Sequence, residues 1–291
     1  MIIYLARHRG LCSGVKRSIR LAEKTLNDKP APVYILNDIV HNQAVIEELK
    51  ARGLIKVTDP NEVKSGTLII SAHGIPHEII DNAKASGLDV VDATCPLVYK
   101  IHKAAKNLRE KDYEVILFGD PGHDEVKGIV AVDPEHIHVV NTFDDIDALP
   151  EYDSSVAFIS QSTKNVERFH LMAEKLLDKY GPIRIENTIC QATRSRQEAI
   201  ISLGKAAELV IVIGSKSSAN SNRLVEIAES QGARAYLIDN ADDLDLDWLD
   251  EANKIGITAG ASTPEHLVDE VLKSVNDYAE EENIHLEMIT V

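Results

Sequence analysis

The chain has 291 residues, a length that suits two domains at ~150 residues each. Apolar residues make up 44% and charged residues 27%, which excludes a disordered or fibrous chain. Thirty-one Lys and Arg against 47 Asp and Glu give a net charge of −16, arguing against a nucleic-acid or anionic-membrane surface but not against a local basic pocket.

No apolar run approaches the ~18 residues of a membrane span, and residues 1–5 read directly as a strand, with neither a signal-peptide nor a transit-peptide pattern. The expected compartment is the cytoplasm. The three cysteines, Cys12, Cys95 and Cys190, are an odd count, so a disulfide framework is excluded. None belongs to a Cys-x-x-Cys pair, and taken singly each reads as a small buried hydrophobe.

In chain order, the strand-like run Ile2–Leu5 leads to Cys12, and Val15, Ile19, Ala22 and Leu26 then recur at helical spacing. A strand over Val33–Leu36 runs into a loop with His41, and one over Thr67–Ser71 runs into His73. Val90-Val91 leads to Cys95. Pro96 opens a helix whose stripe is Leu97, Ile101, Ala104 and Leu108. The strand Val115–Phe118 then leads to a polar loop with His123 and Glu125, and Val156–Ser160 leads to Ser162 and Thr163. A strand-like run from Ile183 to Ile189 precedes Cys190, followed by the stripe Ala192, Ala199, Leu203 and Ala206. The strand Leu209–Ile213 enters a loop with Ser218 and Asn220, and Ile255–Ile257 leads to Ser262 and Thr263. The acidic stretches 144–150 and 242–250 read as surface turns and short helices, and the alternating tail 285–291 as an edge strand.

These segments form a threefold repeat. His41, His123 and Ser218 lie 29, 28 and 28 residues after their cysteines, which are themselves 83 and 95 residues apart. The expected fold is α/β, with three small lobes related by a pseudo-threefold axis around a central cluster site. Each lobe is a parallel-rich sheet with flanking helices. The expected boundaries are 13–95, 96–190, and 191–280 completed by the N-terminal strand of 1–12, with 281–291 as a tail.

In such sheets ligands sit beyond the carboxyl ends of the strands, where these cysteines and loops fall. Three thiolates around an axis suit a zinc ion with three Cys ligands or a [4Fe–4S] cluster with one open iron, and the unique fourth corner matches the cubane better. The neutral or switchable donors of His41, His73, His123, Ser218, Asn220 and Ser262 fit a phosphate or diphosphate. Glu125 is the one carboxylate among them and a candidate general acid. A cluster-dependent hydro-lyase and an iron–sulfur or zinc sensor are the competing readings.

The sequence resembles the 4-hydroxy-3-methylbut-2-enyl diphosphate reductases. The resemblance rests on Gly10-Leu-Cys12-Ser-Gly14-Val15, Ile39-Val-His41-Asn42, Ser71-Ala-His73-Gly74 and Asp92-Ala-Thr-Cys95-Pro96-Leu97-Val98. It continues through Gly122-His123-Asp124-Glu125-Val126, Cys190-Gln-Ala-Thr193 with Arg196-Gln197, Ala219-Asn220-Ser221-Asn222-Arg223-Leu224, and Thr258-Ala-Gly-Ala-Ser262-Thr-Pro-Glu265. It implies a three-lobed enzyme of the non-mevalonate isoprenoid pathway that turns (E)-4-hydroxy-3-methylbut-2-enyl diphosphate into isopentenyl and dimethylallyl diphosphate with two electrons and two protons. It further implies one [4Fe–4S] cluster on Cys12, Cys95 and Cys190. Glu125, His123, Ser162 and Thr163 would be catalytic. The diphosphate would lie on His41, His73, His123, Ser218, Asn220 and Ser262, and electrons would come from a carrier such as ferredoxin or flavodoxin. The chain departs from the family pattern at Leu11 for the usual Phe, Asp124 for Pro, Ser162 for Thr and Ala219 for Ser. Ser162 keeps the hydroxyl, whereas Ala219 removes one possible donor to the diphosphate.

Overall fold

A computed structural model describes residues 1–291. In chain order the elements are β1 (Ile2–Leu5), α1 (Ser13–Asp28), β2 (Val33–Leu36), α2 (Gln43–Ala51), β3 (Leu54–Val57), β4 (Thr67–Ile70), α3 (His77–Ala85) and β5 (Asp89–Asp92). Next come α4 (Pro96–Arg109), β6 (Glu114–Phe118), α5 (Asp124–Val130), β7 (Ile137–Val140), α6 (Phe143–Ala148), β8 (Val156–Ser160), α7 (Val166–Tyr180) and β9 (Arg184–Ile185). The chain ends with α8 (Gln191–Ala206), β10 (Leu209–Ile213), α9 (Ala219–Ser230), β11 (Arg234–Ile238), α10 (Asp247–Asp250), β12 (Lys254–Ala259), α11 (Glu265–Glu281) and β13 (Glu287–Thr290).

Three sheets result, ordered β3-β2-β4-β5, β7-β6-β8-β9 and β11-β10-β12-β1-β13, and every recorded strand pair is parallel. The first four positions repeat one topology. In each sheet the strand in fourth position leads to a cysteine. The first strand of the chain takes that place in the third sheet, and the tail adds β13 at its edge, as the alternation over 285–291 suggests.

The central strands are buried from end to end because parallel sheets carry helices on both faces. Along β10, Leu209, Ile211 and Ile213 enter one core with α11, while Val210 and Val212 enter another with α8 and α9. Successive residues of a strand point to opposite faces, so one apolar run supplies both layers. In the second sheet Phe158 stacks on Phe169 of α7 at 4.6 Å between ring centroids.

The chain divides into two compact units. One comprises Met1–Val15, His41–Val45 and Gln191–Val291 and holds the five-stranded sheet. The other comprises Lys16–Val40 and Ile46–Cys190 and holds both four-stranded sheets. No helix is long and apolar enough to cross a membrane.

Two expectations change. The run from Ile183 to Ile189 is strand only at Arg184–Ile185. Beyond it the Thr188 hydroxyl replaces the ladder, accepting from Ser160 N at 2.7 Å and donating to Ser160 O at 2.5 Å. Glu125 and Asn220 are also not loop residues: they lie in the first turns of α5 and α9, capped by His123 and Ser218.

Candidate active site

Each cysteine occupies the turn between the end of a strand and the start of a helix. The backbone N–H of Cys12 donates to Ala261 O at 3.0 Å, that of Cys95 to Ala72 O at 2.9 Å, and that of Cys190 to Ser162 O at 3.0 Å. Every acceptor lies on the loop after the neighbouring strand, so one turn geometry is built three times. None of the three is in a disulfide, and all are partly exposed. Cysteine sulfur is a soft donor, and three cysteines each placed at a helix start fit the ligand chemistry of an iron–sulfur cluster. No three His, Cys, Asp or Glu side chains gather closely enough to hold a single metal ion.

The order of each sheet reverses between its two central strands, and the loops that leave them form the crevice where α/β folds bind ligands. In the β6–β8 crevice, Glu125 is 2% exposed. Ser162 donates to its carboxyl twice, from the backbone N to Oε1 at 2.7 Å and from the hydroxyl to Oε2 at 2.8 Å. Burial pushes the Glu125 carboxyl up to about 7, outweighing the two Ser162 hydrogen bonds, while the charge of Asp120 adds to the rise.

His123 caps α5 through Nδ1, which accepts from Glu125 N at 3.1 Å. With Nδ1 accepting, the ring carries its proton on Nε2. His73 meets it edge to face at 5.5 Å. The Thr163 hydroxyl accepts from Gln161 Nε2 at 3.2 Å, and Gln161 Oε1 in turn accepts from Asp120 N at 2.9 Å. Asp124 holds Asn37 at the end of β2, accepting from its Nδ2 at 2.9 Å.

The β10–β12 crevice belongs to the other unit. Its wall closes around Ser221, because Gly214 and Gly260 at the two strand ends carry no Cβ where the Ser221 hydroxyl lies. Ser218 Oγ caps α9 by accepting from Ser221 N at 3.3 Å, and Ser262 Oγ donates to His41 O at 2.9 Å. Asn220 is 4% exposed and its Nδ2 has no hydrogen-bond partner. A buried donor left unpaired costs about 1–3 kcal/mol, which an anion accepting from it would recover.

The structure thus groups Glu125, Ser162, His123 and His73 in one unit, with Cys95 and Cys190 directly before α4 and α8. It groups His41, Ser218, Asn220 and Ser262 in the other, with Cys12 directly before α1. The packing of Ser221 is not foreseen, although glycines ending two neighbouring strands are its signal. Nor is Lys164, which is fully buried and bonded to Asp120 at 2.7 Å and Asn141 at 2.6 Å. Nothing near it in the sequence marks a lysine as buried.

Comparison with known proteins decides the family. The family described as LytB protein matches residues 3–276. The chain belongs to the LytB family. It is an oxidoreductase with many relatives that bear one name. The 4-hydroxy-3-methylbut-2-enyl diphosphate reductase of Tolumonas auensis is 40% identical over 279 residues, covering 94% of this chain and 90% of the relative. The enzyme of the same name from Streptomyces coelicolor is 41% identical over 276 residues, covering 93% and 82%. Among solved structures, the E-1-hydroxy-2-methyl-but-2-enyl-4-diphosphate reductase of Plasmodium falciparum has a TM-score of 0.93 at 35% identity, covering 100% of this chain and 92% of its own. This LytB family member therefore has the α/β fold of the solved reductases.

Proposed function

We propose that the protein converts (E)-4-hydroxy-3-methylbut-2-enyl diphosphate to isopentenyl and dimethylallyl diphosphate, taking up two electrons and two protons and releasing water. The observation that carries the reading is the Glu125 carboxyl, buried in a sheet crevice, clasped by Ser162 and pushed up to about 7 by that burial. The three lobes 13–95, 96–190 and 191–280 with the strand of 1–12, followed by the tail 281–291, belong to the same proposal, with their cysteines at equivalent points. When bound, a [4Fe–4S] cluster held by Cys12, Cys95 and Cys190, with its fourth iron open, supplies electrons and a Lewis acid for the substrate hydroxyl.

The chain's own residues do the rest. Glu125 stores a proton for the departing hydroxyl or the allylic carbon, and Ser162, 2.8 Å away, passes it on. Thr163 braces the loop through Gln161. His41, His73, His123, Ser218, Asn220 and Ser262 bind the diphosphate as neutral or switchable donors, with the unpaired Asn220 amide the most direct support. Ala219 offers no hydroxyl to the diphosphate. Electrons come from a small carrier such as ferredoxin or flavodoxin, and three cysteines outside any disulfide suit the reducing cytoplasm.

The test is anaerobic turnover of the hydroxylated diphosphate with reduced viologen dye. Both products form with the dye and neither forms without it. Turnover without a reductant overturns the reading in favour of a hydro-lyase.

A further inference from the structure

The chain is strongly acidic, yet three of its helices are not. α1 carries four basic and two acidic side chains, α4 four basic and none acidic, and α8 three basic and one acidic. Every other helix is neutral or acidic. The three exceptions are the helices that begin immediately after Cys12, Cys95 and Cys190.

On α1, Lys16, Arg20 and Lys24 recur every four residues along one face, with Arg17 beside them. On α4, Lys100 and Lys103 project near the Cys95 end, and all six side chains are exposed. None is spent in an ion pair: those of the two helices lie farther along, at Glu23–Arg52 and Arg109–Asp133. Arg17 donates to Thr94 O at 3.1 Å and the Ser18 hydroxyl to Ala93 O at 2.6 Å, which pins α1 beside the segment that enters Cys95.

We infer that this cationic face of α1 and the first turns of α4 docks a small acidic electron-carrier protein. The inference rests on the reductase reading in one respect: the electrons come from outside the chain. Over one turnover the carrier loses two electrons, singly or together. The substrate gains them with two protons, its C–O bond breaks and water leaves.

The dimensions favour a protein partner. Lys16 to Lys24 spans about 12 Å at ~1.5 Å rise per residue, broader than a diphosphate needs. The net charge of −16 repels nucleic acid, and the exposed side of α1 is polar throughout, without the apolar face that a membrane-surface helix presents. Electron-transfer encounters are small, transient and steered by opposite charge, which suits a patch of unpaired cations.

The test combines direct binding with two electron sources. The double variant Lys16→Glu/Arg20→Glu, in the cluster-loaded enzyme, is compared with wild type and with Lys64→Glu/Lys84→Glu on the exposed surface around α3. Binding of oxidised ferredoxin or flavodoxin is titrated at low and high salt, and turnover is driven by either reduced carrier or reduced viologen. The α1 variant binds the carrier and uses it at least about tenfold less well at low salt, with the gap closing as salt rises. Its iron content and dye-driven turnover stay at wild-type values, and the α3 control changes nothing. Lys16→Gln/Arg20→Gln shows the same pattern at smaller size, which guards against misfolding caused by the added acids. Unchanged carrier binding, or an equal fall with the dye, overturns the docking face. Wild type that binds the carrier yet fails to reduce substrate with the dye refutes the reductase reading and leaves the docking face standing.

Discussion

Glu125, in the first turn of α5, and Ser162, on the loop after β8, are joined twice across 37 residues of sequence, through a backbone N–H at 2.7 Å and a hydroxyl at 2.8 Å. The two bonds favour the carboxylate, yet burial prevails and the carboxyl titrates at about 7 rather than 4.5.

The folded state therefore keeps a proton that the unfolded chain releases near 4.5. The stability this group contributes is complete below that pH and is lost as pH rises through 7. The difference is about 3 kcal/mol at ~1.4 kcal/mol per pH unit. Glu125→Gln should match wild type in urea unfolding at pH 4.5 and exceed it by that order at pH 8. Parallel loss of stability in both proteins would mean that the carboxylate forms in place at little cost.

The equivalent cysteine turns predict equivalent losses. Changing any one of Cys12, Cys95 or Cys190 to Ser should strip most of the iron and abolish turnover, while circular dichroism stays native because each thiol is partly exposed. A variant with full iron and sulfide and normal turnover would remove that cysteine from the ligand set.

For the anion site, His41→Ala or Asn220→Ala should weaken substrate binding about tenfold and leave the visible spectrum of the cluster unchanged. Losing one charge-assisted hydrogen bond costs ~1.5–3 kcal/mol. Unchanged affinity in both variants would move the diphosphate elsewhere.

The threefold cysteine turn was legible because cysteine has no packing reason to recur at one point of three repeats. The central strands were legible as apolar runs. Val33–Leu36 and Leu209–Ile213 match β2 and β10 residue for residue. The helix starts at Glu125 and Asn220 were not: His123 is an unusual cap, and the residues after it read as polar loop. The burial of Glu125 was also hidden, since it depends on Ser162 closing over it from the loop after β8. Lys164 has the same difficulty, because its partners Asp120 and Asn141 come from two separate strand ends.

His102 supplies an acid-side prediction. Its ring is 4% exposed with neither nitrogen hydrogen-bonded, and it packs against Gly128 of α5, where a Cβ would lie 2.9 Å from Cε1. Burial, with His77 nearby, lowers its pKa from 6.5 to about 4 against a smaller opposing pull from Asp92. The folded state refuses a proton that the unfolded chain accepts, so stability is full above pH 6.5 and falls by about 3 kcal/mol as pH drops to 4. His102→Leu should flatten this part of the stability–pH curve. An unchanged slope would assign the acid loss to other groups.

The central claim is that a buried, protonated Glu125 supplies the proton of a reductive dehydroxylation. Dye-driven turnover of Glu125→Gln, measured with its iron content and substrate affinity, tests this most directly. Gln keeps the size of the side chain and can hold Ser162, but it cannot deliver a proton at neutral pH. The account predicts a fall of about 10²–10⁴-fold in turnover with cluster and affinity intact. Full turnover in this variant would contradict it, and the proton would then have to come from water or from the substrate's own diphosphate.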